Sequence, residues 1–273
     1  MPVSAARLER DAVIAATSGG SSRGKSNDAL TVARRIAAAL NAIQVVDFGF
    51  FWMTAVAADD TIVVANSYGI GYIPEGVNLP AQVKFANIDE SIPPADRGKW
   101  TSYPLLMLQG WAQHHNNPLK QVIATEEQFK GSDPGVAKIV LQPDDIPTNG
   151  TMQGRSRLEV VAPHAAERLS STSDFNLTEL LPPAPADPQP QAEEDQFMKW
   201  FSVMQCLMSD MEGRVQAHLK AFVSYADYAQ EQALYAAHAA TDATAQRAAI
   251  ADWVYWQHLS VLMSDALQAG VTV

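Results

Sequence analysis

The residues whose spacing comes nearest to known chemistry are Gly19 to Ser26, GGSSRGKS. Gly19, Gly24, Lys25 and Ser26 fit the phosphate-loop pattern of glycine, four residues, then Gly-Lys-Ser. That chemistry needs backbone N–H groups wrapped around phosphates, Lys25 reaching the terminal phosphates and Ser26 holding magnesium. Asp47, closing IQVVD, would be the magnesium-side acid. The surroundings argue against it. The preceding ARLER charges belong to a helical pattern and not to a buried parallel strand. The acid follows only about twenty residues on, which leaves little room for a βαβ unit, and no repeated βα units come after it. The stretch therefore reads as a Gly/Ser-rich loop between two helices. A nucleotide-binding switch stays open as an alternative, and no cofactor is expected.

The other candidates are scattered. His114 and His115 are adjacent on a helix, so their side chains diverge by about 100°, and no third ligand lies close in sequence. They read as helix-end histidines, which suit the negative end of the helix dipole. Glu126-Glu127 and Asp144-Asp145 read as solvated loop charges. His164, His238 and His258 are isolated, and His218 reads as a partnered core histidine. Cys206, the one cysteine, sits in FSVMQCLMSDM without a neighbouring base. It reads as a small hydrophobe and not as a nucleophile. No G-x-S-x-G element or Cys/His pairing occurs. No catalytic residue, no metal site and no enzyme activity are expected.

Composition narrows the partners. The chain has 273 residues, 47% hydrophobic, enough for one large or two smaller cores and too apolar for a disordered chain. A net charge of −11 disfavours broad binding to nucleic acid or anionic membrane. One cysteine forms no internal disulfide. No apolar run is long enough to span a bilayer, and Met1 to Arg10 is not a signal peptide. A cytoplasmic protein is expected, without nucleic acid and without membrane insertion.

The elements that would position any site are organised around Asp47 to Pro80. Phe50 to Ala58 and Thr61 to Asn66 are β-prone runs broken by Asp59-Asp60, which is turn chemistry. They predict a β-hairpin at the most buried part of a sheet. SYGIGYIPEGVNLP after it is an ordered Gly/Pro-framed loop, in which Tyr68, Tyr72 and Ile73 are the candidate partner anchors. Helices are expected over residues 3–17, 28–42 and 102–115, with short ones over 92–100 and 163–170. Further strands are expected at 121–125, 136–141 and 158–161. Leu181 to Asp195 is proline-rich and acidic and reads as a linker. Phe197, Phe201, Met204, Met208, Met211, Val215, His218, Phe222 and Tyr225 then alternate by four and three, a heptad seam. Trp200, Val203 and Leu207 widen it. One helix of roughly 60 Å, at about 1.5 Å per residue, should run to His238, and a second to Ala269. The expected fold is α+β, a mainly antiparallel sheet with surrounding helices and then a C-terminal antiparallel helical hairpin. The expected divisions are 1–181, a linker at 182–195 and the hairpin at 196–273. The hairpin's exposed side is a second candidate surface for a partner.

SYGIGYIPEGVNLP, SDPGVAKIVLQPDDIP, GRSRLEVVAP, LLPPAP and IADWVYWQ resemble the C-terminal region of EspK-like proteins of actinobacteria, which are associated with type VII (ESX) secretion. The likeness covers nearly the whole chain and rests on no catalytic signature. It implies a cytosolic, non-enzymatic helper, chaperone or adaptor, that binds an EspB-like ESX substrate and links it to the secretion ATPase. The longer N-terminal and proline-rich portion of such proteins is missing here, as in a fragment or a shorter relative. Secreted ESX substrates often carry Tyr-x-x-x-Asp/Glu after a helical hairpin. Tyr225, Tyr228, Tyr235 and Tyr255 are followed four residues on by Ala229, Gln232, Ala239 and Leu259. Helper is thus favoured over cargo, with a secreted ESX-associated protein as the alternative.

Overall fold

The computed structural model describes residues 22–42, 47–184, 193–208 and 212–271. The helix expected over 3–17 lies outside the described residues. Helix α1 (Ser22–Ala42) starts earlier than expected and runs as one piece. It turns Ala33, Ile36, Ala37 and Leu40 inward.

The hairpin forms where the turn chemistry put it. Strands β1 (Trp52–Ala57) and β2 (Ile62–Asn66) pair antiparallel from Trp52↔Asn66 to Val56↔Ile62. Asp60 takes a left-handed φ of 70°, and the Asp59 carboxylate accepts from the Thr61 backbone N–H at 2.9 Å. Short Asp side chains tolerate that conformation and replace lost backbone bonds. Both strands are buried throughout, as β-branched and aromatic runs without polar alternation require.

Strands β3 (Val83–Phe85), β4 (Leu119–Thr125) and β5 (Ala137–Leu141) complete a five-stranded sheet in the order β3-β2-β1-β4-β5. The sheet is mixed, which corrects the mainly antiparallel expectation. The two central pairings, β2–β1 and β1–β4, are antiparallel, and the two outer pairings, β2–β3 and β4–β5, are parallel. The loops 67–82 and 126–136 carry the chain back to the end from which it came, and a parallel pair demands that return.

Helices cover both faces. Helices α2 (Pro94–Lys99) and α3 (Pro104–His114) follow β3, each with proline in its first turn. Met53, Ala55, Val63, Ala65 and Val122 pack with Leu105, Met107, Leu108 and Trp111 on one face. Trp52, Val56, Ile62, Val64 and Ile123 face α1 and the C-terminal helices on the other.

Two further expectations are corrected. Residues 158–161 are not a strand but lie in α4 (Arg157–Val161), followed by α5 (Pro163–Ser171). Ser156 accepts from the Glu159 N–H and Glu159 accepts from the Ser156 N–H at 2.6 Å, a capping box that starts the helix. The long helix also breaks. α6 (Glu193–Leu207) folds back, Gly213 sits at φ +84°, and α7 (Arg214–Ala239) begins. That left-handed φ suits glycine, which has no Cβ to clash. Helix α8 (Ala243–Val271) returns antiparallel to α7, so the hairpin is present, with α6 as a third member. The pairings Lys199–Ser224, Gln246–Ala237 and Ser260–Asp227 set this order. Core residues from Ala33 to Ala266 join in one cluster, so elements on both sides of the proline-rich stretch share it.

Candidate interaction surface

The loop after β2 is built by Asn66. Its side-chain oxygen accepts from the N–H groups of Tyr68 and Gly69 at 3.1 and 2.9 Å, and its amide donates to the Tyr72 carbonyl at 2.7 Å. Tyr255 of α8 locks the next turn, its hydroxyl accepting from the Ile73 N–H at 2.7 Å. Gly71, at φ +78°, leaves room for Leu259, which would lie 3.1 Å from any Cβ there.

Tyr68, Tyr72 and Ile73 are brought together, but inside. Tyr68 and Ile73 are 0% exposed and Tyr72 7%. Trp200 of α6 lies 5.8 and 5.4 Å from the Tyr68 and Tyr72 rings, and Phe222 of α7 lies 5.4 Å from Tyr72. Asp47 accepts from Trp200 Nε1 at 2.6 Å and from the Tyr72 hydroxyl at 3.1 Å. Burial raises the Asp47 pKa above the ordinary carboxylate value, against those two hydrogen bonds. The surface these aromatics offer is thus taken by the chain's own helices. Composition foretold the aromatic character of the loop. Its cover comes from residues more than a hundred positions away, which no local pattern reveals.

The remaining candidates do not assemble. Gly24, Lys25 and Ser26 lie within α1, while Gly19 and the side chains of this stretch lie outside the described residues. Asp47 is committed to Trp200 and Tyr72. His115 Nε2 sits 2.7 Å from Asp89, which also accepts from Trp111 Nε1 at 3.0 Å. Among the described residues, no group of three His, Cys, Asp or Glu side chains could hold a metal. Burial raises the Cys206 thiol pKa, the wrong direction for a nucleophile. A cleft of about 420 Å³ between Arg97 of α2 and Gln257, His258, Val261 and Asp265 of α8 carries charge without a nucleophile–base pair.

Among the exposed large apolar side chains, which include Phe48, Leu106, Phe175 and Val261, three lie close together along α6 and just past its end. Phe197 is 62% exposed, Met198 54% and Met208 50%, and Phe201 and Met204 are half-buried. The Phe197 and Phe201 rings stack at 6.2 Å. The inward residues are instead Trp200, Val203 and Leu207, of which Val203 is 0% exposed. The two sets lie roughly 90° apart around the helix. The heptad seam expected to be interior therefore changes side. Beyond Gly213 its members His218, Phe222 and Tyr225 are buried, while Phe197, Phe201, Met204 and Met208 face solvent or are only half covered. The buried face differs between α6 and α7, which spacing taken across both as one helix could not register.

Residues 41–268 match the family described as the EspK C-terminal domain. Over 272 residues the chain is 54% identical to the ESX-1 secretion-associated protein EspK of Mycobacterium tuberculosis (strain CDC 1551 / Oshkosh), covering 99% of this chain and 37% of that protein. It is 50% identical over 270 residues to an uncharacterized protein of Mycolicibacterium smegmatis (strain MKD8), covering 98% and 36%. The chain belongs to the EspK C-terminal domain family. It spans a little over a third of the length of these relatives.

Proposed function

We propose that this chain is a non-enzymatic adaptor of type VII secretion with a chaperone-like role in the cytoplasm. It binds an ESX substrate of the EspB type, the secretion ATPase, or both in turn. The observation that carries this reading is the apolar stripe along α6 and just past its end, Phe197, Phe201, Met204 and Met208, whose members are exposed or half-buried at helical spacing. Exposed Phe and Met at helical spacing supply contact area, and Met adapts to varied partners. Family membership supports the pathway, since the relative in M. tuberculosis is named as ESX-1 secretion-associated.

A photo-crosslinking residue placed at position 197 in living mycobacterial cells tests the reading, with position 261 on α8 as control. Crosslinks to an ESX substrate or the ATPase from 197 and not from 261 are expected. Crosslinks to neither from 197, or recovery of the chain chiefly in culture filtrate, would overturn it.

A further inference from the structure

We propose that the cleft between α2 and α8 binds a small zwitterion, a free amino acid whose carboxylate meets Arg97 and whose ammonium meets Glu90 and Asp265. The site stands apart from α6 and does not depend on the adaptor reading.

The cleft follows from how the two helices meet. Gly98 of α2 packs against Ala266 of α8, so closely that a Cβ on the glycine would come 3.1 Å from that of Ala266. Beside this approach, His258, Val261, Leu262 and Asp265 line the cleft from α8. Their spacing of three and four puts them on one side of the helix. Glu90 and Arg97 form the opposite wall. The volume of about 420 Å³ falls within the range of small-molecule sites.

Arg97 points to a ligand. It is 4% exposed, yet its Nε and Nη1 are buried with no hydrogen-bond partner among the described residues. Burying a cation without partners is costly. Burial lowers the Arg97 pKa, against the nearby charges of Glu90, Asp265 and Asp89, which raise it. None of these carboxylates bonds Nε or Nη1, and Asp89 is held by His115 at 2.7 Å.

The charges around Arg97 select the class of ligand. The paired N–H groups of a guanidinium match the two oxygens of a carboxylate. A simple anion there would also meet Glu90 and Asp265 and be repelled, and a simple cation would meet Arg97. An amino acid carries both charges one carbon apart and suits all three groups. His258 donates its Nδ1–H to the Val254 carbonyl at 3.0 Å, which leaves Nε2 as an acceptor for the ammonium. Val261 and Leu262 offer an apolar wall to the ligand's side chain.

Isothermal titration calorimetry with the full chain tests the proposal. The probes are L-leucine, N-acetyl-L-leucine, which keeps only the carboxylate, L-leucinamide, which keeps only the ammonium, and inorganic phosphate. L-leucine is expected to bind saturably, at least tenfold more tightly than the other three, and to raise the melting temperature. Arg97→Met removes a buried charge that has no partner, so the melting temperature without ligand should hold or rise while L-leucine binding is lost. Glu90→Gln and Asp265→Asn, both at exposed positions, should each weaken L-leucine severalfold, and Glu231→Gln, exposed on α7, should leave it unchanged. No saturable binding of L-leucine, or binding that survives Arg97→Met, overturns the proposal. A large fall in the melting temperature of Arg97→Met would show the guanidinium satisfied within the fold and overturn it as well. Equal binding of N-acetyl-L-leucine or phosphate overturns the zwitterion assignment.

Discussion

His218 shows how single residues fasten the C-terminal helices. It is fully buried, with Nδ1 3.1 Å from the Val203 carbonyl and Nε2 3.0 Å from that of Tyr68. One imidazole thus joins α6, α7 and the loop after β2. Burial lowers its pKa below 6.5, outweighing those two hydrogen bonds, and the charge of Arg214 acts in the same direction. The folded state therefore binds fewer protons than the unfolded, and stability falls as pH drops through about 6.5. His218→Ala should cost about 3 kcal/mol through the cavity and the carbonyl left without its N–H donor. It should also flatten the change in stability between pH 7 and 5.5, as urea unfolding at both values would read. Asp89 works in the opposite sense. Burial pushes it up, but hydrogen bonds from Ser91 and His115 outweigh that and leave it below the ordinary carboxylate value. Its contribution is present above the unfolded pKa and is lost as pH falls through the folded one. Asp89→Asn should therefore reduce the loss of stability in the acid range, seen in melting temperatures at pH 3 and pH 5. His218 was legible as a partnered core residue from its place on an apolar seam. Asp89 was not, because its partners are set by the meeting of loop 86–92 with α3.

At the scale of elements, α6 has two apolar faces with different duties. Val203 is buried and its carbonyl meets His218, whereas Phe197 is mostly exposed. Val203→Ala should lower stability by about 2 kcal/mol. Phe197→Ala should change it by less than about 0.5 kcal/mol while weakening partner capture. Denaturant midpoints and capture measured on the same two variants separate these effects. Equal stability losses would mean that the outer face is packed. The hairpin β1–β2 was legible because Asp59-Asp60 supplied turn chemistry between two β-prone runs. Leu158–Val161 was misread because so short an apolar run suits strand or helix equally, and the deciding signal was Ser156 three residues before Glu159. The parallel edges of the sheet depend on where loops 67–82 and 126–136 lead, and strand composition carries no trace of that.

At the scale of the molecule, the sheet and the C-terminal helices depend on each other. Trp200, Phe222 and Tyr255 pack over Tyr68, Tyr72 and Ile73, to which Phe50 also closes up from the N-terminal side. Arg157 joins Asp252 at 2.6 Å, and Arg247 meets Asp174 at 2.7 Å, so α8 is also tied to α4 and to the segment after α5. A truncation after Pro183 should therefore lose cooperative unfolding and bind a hydrophobic dye. A sharp two-state transition in that fragment would show that the N-terminal part folds alone. Among the described residues no helix is long and apolar enough to cross a membrane.

The first experiment is affinity capture from a mycobacterial lysate, with the full chain and its Phe197→Glu/Met208→Glu variant as parallel baits and an unchanged melting temperature as the fold control. Enrichment of an ESX substrate or the secretion ATPase by the parent chain, lost with the variant, is the result expected. Equal enrichment by both baits would move the contact away from α6, and enrichment of no secretion component by the parent chain would contradict the adaptor role itself.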